Sequence, residues 1–157
     1  MAGPTKRSVF EKPSGRRRRR VGAMSVSLST VHLYVDDPDA ALALYRDALG
    51  LTVKNEVENE GFRWIVLATE SQPEIQIVLS SPYVGRSQED GDALAALVAK
   101  GEMPGPFFRT DDLDATFEKA ASAPGVEVLE EPADRFWGVR DAALRDPAGN
   151  MLRLEQA

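Results

Sequence analysis

The stretch that decides the fold runs from Trp137 to Glu155 and reads WGVRDAALRDPAGNMLRLE. Its middle segment, Asp146-Pro147-Ala148-Gly149-Asn150, is typical of a turn, because proline presets its own φ while glycine and asparagine tolerate positive φ. Residues Met151 to Glu155 then alternate in polarity, as a half-buried strand does. The stretch therefore predicts a β-hairpin at the end of the folded domain.

An internal repeat extends this reading to the rest of the chain. The segment Asp36–Ala40 (DDPDA) matches Asp111–Ala115 (DDLDA), and Gly50–Val53 matches Gly125–Val128 at the same offset of seventy-five positions. In both copies an acidic residue caps a helix and a glycine ends it, with alternating strands on either side. A duplicated β-α-β-β-β unit accounts for both matches.

The boundaries follow from these repeats. One domain is expected over residues 24–157, with the first module at about 28–81, a linker at 82–103 and the second module at about 104–157. After the first helix, three short strands are expected at Leu51–Val53, Phe62–Ala68 and Glu74–Leu79. Within the linker, Ala93 to Val98 predicts a short helix that ends at Gly101.

The composition excludes several classes of protein. The chain has no cysteine, so it has neither disulfides nor thiolate metal sites. It has no apolar run near the ~20 residues that a membrane span needs. The chain has 19 basic and 25 acidic residues, of which eight basic residues and one acidic residue lie in residues 1–23. Residues 24–157 therefore have 11 basic and 24 acidic residues, a net charge of −13. A domain this acidic repels nucleic acid and attracts cations.

Residues 1–23 are basic, polar and without apolar periodicity, which predicts disorder. Three interpretations of this leader are open: an arm that binds anionic surfaces, a twin-arginine export signal, or an upstream extension with Met24 as the functional start. We favour the last, because the periodic pattern begins directly after Met24.

The duplicated order of the motifs resembles the vicinal oxygen chelate superfamily, which includes glyoxalase I, bleomycin-resistance proteins and extradiol dioxygenases. The resemblance covers about residues 28–155 and rests on D-D-x-D-A, G-x-x-V and the final W-G-x-R-x-A-x-x-x-D-P-x-G-N. It implies an α+β fold in which two tandem βαβββ modules form a curved mixed sheet, with helices outside and a concave cavity.

In family members that use a metal, His and Glu side chains hold one divalent ion in the cavity. The corresponding positions here are Thr30, Gly105 and Arg153, and the fourth is Glu74 or Gln76. A hydroxyl, a glycine, a guanidinium and at most one carboxylate do not form a site for Zn²⁺, Fe²⁺ or Mn²⁺. The resemblance therefore points to the non-metal, bleomycin-resistance type of member and predicts no metal and no other cofactor.

His32 is the single histidine of the chain and lies two residues after one ligand position, on the same face of its strand. One alternative is a shifted metal site of His32, Glu74 and Glu155. A catalytic base or ligand contact is a second. A hydrogen-bonded structural histidine is the interpretation that we favour.

A period of two divides the innermost strands into an aliphatic face, expected in the core, and a polar and aromatic face. The second pattern is typical of a ligand-sized concavity, unless arginine–carboxylate pairs (Arg153 with Glu74, Arg109 with Glu155) fill it. This face and two tryptophans at strand entrances supply the candidate ligand-binding residues: His32, Tyr34, Trp64, Gln76, Phe107, Arg109, Trp137 and Arg153.

These observations favour a cytoplasmic protein that sequesters a metabolite or antibiotic. An enzyme of lyase, isomerase or dioxygenase type around His32 is the alternative, and an interaction module with a closed cavity is a third hypothesis. Arg153 and Arg109 favour an anionic or carbonyl-rich group on the ligand, and Trp137 and Phe107 a flat or cationic one. The resemblance also implies a homodimer, with the cavities either within one chain or between two.

Overall fold

The computed structural model of the protein describes residues 24–157. The predictions made for residues 1–23 lie outside that range. Within it, no helix has the length and apolar character that a membrane crossing requires.

The first module contains four strands and one helix. The strands are β1 (Thr30–Tyr34), β2 (Thr52–Asn59), β3 (Phe62–Ala68) and β4 (Gln76–Ser80), and helix α1 (Pro38–Leu42) continues directly into a π-helical segment, Ala43–Ala48. The sheet order is β1-β4-β3-β2. Strand β1 is parallel to β4, and the other neighbours are antiparallel.

The second module repeats this arrangement after helix α2 (Gln88–Ala99), which lies in the predicted linker. Its elements are β5 (Pro104–Thr110), α3 (Leu113–Ala121), β6 (Glu127–Asp134), β7 (Arg140–Arg145) and β8 (Met151–Gln156). The sheet order is β5-β8-β7-β6, with β5 parallel to β8. The predicted pair of βαβββ modules is confirmed, and each module has a four-stranded sheet of its own.

The helix ends use the residues that the repeat predicted. The Asp37 carboxylate accepts from the backbone N–H groups of Asp39 and Ala40 at 3.1 and 3.2 Å, and Asp112 accepts from Ala115 N–H at 3.1 Å. Past each helix the backbone turns through positive φ, 79° at Gly50 and 77° at Gly125. Such capping satisfies backbone donors that the first helical turn leaves unpaired, which is why both copies keep the aspartate.

One hydrophobic core serves both modules. It joins the aliphatic faces of the two sheets to the helices, through residues such as Leu33, Ile65, Leu79, Leu152 and Leu154. The predicted aliphatic face is therefore largely buried. Val31 at the open edge of β1 is 38 % exposed, and Ile75, just before β4, is half-buried. Because the core is shared, neither module buries its apolar surface alone.

The turn Asp146–Asn150 is packed into this core. One Asp146 oxygen accepts from the backbone N–H groups of Ala148, Gly149 and Asn150, at 3.0, 2.9 and 2.8 Å. Gly149 has a φ of 117°, and a Cβ there would collide with the carbonyl oxygen of Val98 in α2. The motif therefore has a structural role, because it closes the hairpin and packs against helix α2.

Two strand limits differ from the sequence prediction. Strand β2 extends to Asn59, well past the predicted Leu51–Val53, because it pairs along the whole of β3. Strand β4 begins at Gln76, so Glu74 lies in the preceding turn and is exposed. Placing Glu74 on the cavity face of a strand was therefore wrong.

Candidate ligand-binding site

The polar face of the first sheet consists of three rows of side chains that cross its strands. The pairing of residues between the strands gives two rows directly: Thr30-Gln76-Ala68-Thr52 and His32-Val78-Val66-Asn55. Continuing the β3–β4 pairing by one residue gives the third row, Tyr34-Ser80-Trp64-Val57. Four predicted residues, His32, Tyr34, Trp64 and Gln76, thus share one face of one sheet.

Small side chains in the two central strands form the floor of this face. Ala68, Ser80 and Val78 are 0 %, 3 % and 7 % exposed. Neighbouring strands lie ~4.8 Å apart, so Tyr34 and Trp64, two strands apart, are separated by about 10 Å across the floor. That span suits a flat organic ligand of drug size.

His32 makes one side-chain contact on this face. Its Nδ1 lies 3.2 Å from Oγ of the buried Ser80 on the neighbouring strand. This bond is what the structural interpretation expects, and the residue as a whole is exposed. A ligand contact by His32 stays a prediction.

Arg86 reaches the same face from the segment between β4 and α2. Its Nη2 donates to the hydroxyl of Tyr34 at 2.7 Å, and its Nη1 donates to the carbonyls of Pro82 and Val84 at 3.2 Å each. The guanidinium carbon lies 5.0 Å from the centre of the Tyr34 ring, within cation–π range. The sequence did not identify Arg86, because no periodic pattern covers this loop.

The polar face of the second sheet is occupied by a network of two arginines and two carboxylates. The buried Asp141 accepts from Arg153 Nη1 at 2.8 Å and from Arg135 Nε at 2.6 Å. Glu130 accepts from Arg153 Nη2 at 3.1 Å and forms an ion pair with Arg135 Nη2 at 3.0 Å. The hydrogen bond that Arg135 donates to Asp141 is the main reason that the pKa of Arg135 is raised above its ordinary value.

This network corrects one expectation. Arg153 pairs with Asp141 and Glu130, so its expected pairing with Glu74 was wrong. The signal for Asp141 was present in the sequence, since it lies opposite Glu155 on the same face of the hairpin. Glu130 and Arg135 had no such signal, because the irregular register of β6 hides which way they point.

Phe107 and Arg109 lie at the edge of the second sheet. Arg109 Nη2 is 3.5 Å from a Glu155 oxygen, the pair predicted from the sequence, but its side chain is 72 % exposed. Phe107 is 58 % exposed. Both also line a cleft of about 830 Å³ that runs from β5 to the turns at 49–51 and 69–72 of the first module. The other six predicted residues lie outside this cleft.

Trp137 lies on the turn between β6 and β7 and is 53 % exposed. Phe136, 97 % exposed, packs edge-on against it with ring centres 4.7 Å apart. Arg135 ties this turn to the network, since its Nη2 also donates to the carbonyls of Glu131 and Asp141. Hydrogen bonds from Arg135 therefore hold the turn that carries Phe136 and Trp137.

The residues at the family's metal positions do not fit a divalent ion. Thr30 is paired with Gln76 across the sheet, and Arg153 is neutralised by carboxylates. At Gly105 a Cβ would lie 2.5 Å from the Met151 carbonyl oxygen, so this backbone leaves no room for a ligating side chain. Among residues 24–157, no three His, Asp or Glu side chains come together as a metal site would require. His32, Glu74 and Glu155 are therefore not assembled into the shifted site.

The sequence profile of the glyoxalase/bleomycin resistance protein/dioxygenase superfamily matches residues 27–154. The chain belongs to this superfamily. Its match to CFP32 of Mycobacterium bovis, which carries a provisional glyoxylase name, is 33 % identical over 146 residues and covers 87 % of this chain and 48 % of that protein. The chain thus spans about half the length of this relative.

Several solved structures share the fold. UcmS2 has a TM-score of 0.75 at 30 % identity, covering 85 % of this chain and all of UcmS2. TnmS3, an antibiotic-binding protein from Streptomyces sp. CB03234, has a TM-score of 0.63 at 24 % identity, covering 85 % and 98 %. A lactoylglutathione lyase from Agrobacterium tumefaciens has a TM-score of 0.58 at 24 % identity, covering 85 % and 96 %. Since a binder and a lyase both share the fold, the fold alone does not assign the chemistry.

Proposed function

We propose that this superfamily member is a cytoplasmic small-molecule-binding protein that sequesters a metabolite or antibiotic without a metal. The observation that carries the proposal is the pairing of Arg153 with two carboxylates. This guanidinium occupies the position of a metal-binding carboxylate and is fixed there by Asp141 and Glu130. A guanidinium has no lone pair to offer a divalent ion, so this position cannot help to hold the Lewis acid on which the metal-using members depend.

The faces of the two sheets support binding. The first offers a floor of small side chains between Tyr34 and Trp64. Exposed rings lie at the edge of the second sheet (Phe107) and on the turn between β6 and β7 (Trp137). Such mixtures of apolar surface and a few polar groups are characteristic of small-molecule sites. The likeness to an antibiotic-binding protein agrees with this proposal.

We also propose that the protein is a homodimer whose cavities lie between two chains. The polar faces of the two modules belong to separate sheets, and strands β1 and β5 each have a hydrogen-bonded neighbour on one side only. The exposure of Phe136 and Trp137 supports the same conclusion, because a second chain would bury them.

Ligand recovery tests the sequestration proposal. The purified chain is screened against a panel of flat aromatic antibiotics by native mass spectrometry, and bound ligand is then released by denaturation. We expect stoichiometric binding of at least one compound and recovery of its unaltered mass. Catalytic conversion of the bound compound, or of a hemithioacetal of the kind that glyoxalases use, would contradict sequestration and favour the enzyme alternative.

A further inference from the structure

Arg86 differs from every other arginine that the structure describes. Eight arginines lie in residues 24–157, and seven of them form an ion pair with a carboxylate. Within the described chain, Arg86 instead bonds to three neutral oxygens, those of Pro82, Val84 and Tyr34. Its position is fixed, and its charge is not neutralised.

Two hydrogen-bond donors at Arg86 and Tyr34 have no acceptor within residues 24–157. Because the Tyr34 oxygen accepts from Arg86, the Tyr34 hydroxyl proton remains available to a further acceptor. The Arg86 Nε–H makes no hydrogen bond within residues 24–157 and is likewise available. A guanidinium and a hydroxyl that lie 2.7 Å apart, each with a proton to donate, match the two oxygens of a carboxylate.

The position of this pair gives it a role in ligand orientation. Tyr34 stands at one end of the row that crosses the first sheet to Trp64, about 10 Å away. A ligand with an acidic group at Tyr34 would extend its flat body over Ser80 toward the Trp64 ring. The anion is thus bound at the edge strand, and the apolar part lies over the floor.

The acidic surface of the domain does not prevent this. A net charge of −13 acts over long range, but physiological salt screens exposed charges beyond about 8 Å. At hydrogen-bond distance the fixed guanidinium dominates, since a charge-assisted hydrogen bond is roughly twice as strong as a neutral one. Remote acidic residues therefore slow the approach of an anion more than they weaken its final contact.

We propose that Arg86 and Tyr34 form the anion-recognition point of the ligand site and select flat aromatic ligands that carry a carboxylate. This inference rests on the proposed binding function and names the ligand class. Arg86 takes the anion-binding role that the sequence suggested for Arg153, because Arg153 already donates to two carboxylates.

A matched pair of probes tests the proposal. Naphthalene-2-carboxylate and its neutral carboxamide have the same shape, and calorimetry on the full chain at neutral pH measures both affinities. We expect the carboxylate to bind about tenfold to a hundredfold more tightly. Arg86→Gln should remove this preference, Arg86→Lys should keep part of it, and Tyr34→Phe should reduce it.

Arg140→Gln is the control variant, since Arg140 pairs with Asp114. It should retain the full preference for the carboxylate. No binding of the carboxylate by the wild-type chain, equal binding of both probes, or a preference that survives Arg86→Gln would overturn the proposal. If Arg86→Gln no longer melts cooperatively, the affinities of Arg86→Lys and Tyr34→Phe for the two probes decide the test. The ratio of the two probe affinities does not depend on metal content or on turnover. The test of anion recognition can therefore fail while sequestration stands, and sequestration can fail while anion recognition stands.

Discussion

The hydroxyl of Tyr45 in the first module donates to the carboxylate of Asp146 in the second, across 2.7 Å and out of reach of solvent. Asn150 extends this contact, because its amide donates both to Asp146 at 3.0 Å and to the backbone carbonyl of Tyr34 at 2.8 Å. The turn that identifies the family thus joins the two modules of the chain and supports the end of β1, where Tyr34 faces the proposed ligand.

Tyr45→Phe should lower the free energy of unfolding by about 1–3 kcal/mol, because it leaves the buried Asp146 without one of its donors. Urea denaturation measures the change. Tyr83→Phe is the matched control: its hydroxyl donates to Asp92 at 2.8 Å near the surface, where water replaces the lost bond. Equal losses in the two variants would contradict the central place given to Tyr45.

Stability should fall in alkaline solution through the same residue. Burial raises the pKa of Tyr45 well above its ordinary value, and Asp146 raises it further. A phenol with a raised pKa stabilises the fold fully below the unfolded value of about 10, and this contribution is lost as the pH rises beyond it. Thermal melting across that range should show a smaller alkaline loss in Tyr45→Phe than in the wild type. Tyr83, whose pKa is raised by its bond to Asp92, adds a loss common to both.

Asp141→Asn should destabilise the protein by about 3 kcal/mol or more, because it leaves two largely buried guanidiniums with Glu130 as their remaining carboxylate. Asp114→Asn breaks the exposed pair with Arg140 and should cost less than about 1 kcal/mol. Denaturant unfolding of the two variants makes the comparison. A loss no greater in Asp141→Asn than in Asp114→Asn would show that the network does not hold the second sheet.

Light scattering at micromolar concentration should give the mass of two chains. Phe136→Ser should shift the equilibrium toward monomer, since the ring is 97 % exposed in the single chain. Leu97→Ser, on the exposed side of α2 at 44 %, is the control that should leave the mass unchanged. A monomeric wild type would place the cavities within one chain.

The sequence predicted the fold well because its signals were local and repeated. The aspartate caps at Asp37 and Asp112, the glycines at Gly50 and Gly125 and the closing turn each act within a few residues, and each appears where expected. Strand β2 was predicted too short, because its length depends on pairing with β3 and not on its own pattern.

The site was less predictable, because its contacts join distant parts of the chain. Alternation correctly assigned His32, Tyr34 and Gln76 to one face, where the strand register pairs them with Val78, Ser80 and Thr30. It gave no means to see that Arg135, from a turn, would share Asp141 with Arg153. Arg86 was missed for the same reason, since a loop residue meets Tyr34 only once the segment after β4 has folded back.

Metal content tests the central claim most directly. The purified chain is dialysed against Zn²⁺, Ni²⁺, Mn²⁺ or Fe²⁺. One portion is freed of excess ion and analysed by mass spectrometry, and a second portion is melted with the ion in excess. The neutralised Arg153 and the closed space at Gly105 predict far less than one ion per chain and an unchanged melting temperature. One tightly held ion per chain, with the stabilisation of about 2.7 kcal/mol that a hundredfold excess over Kd provides, would contradict the account.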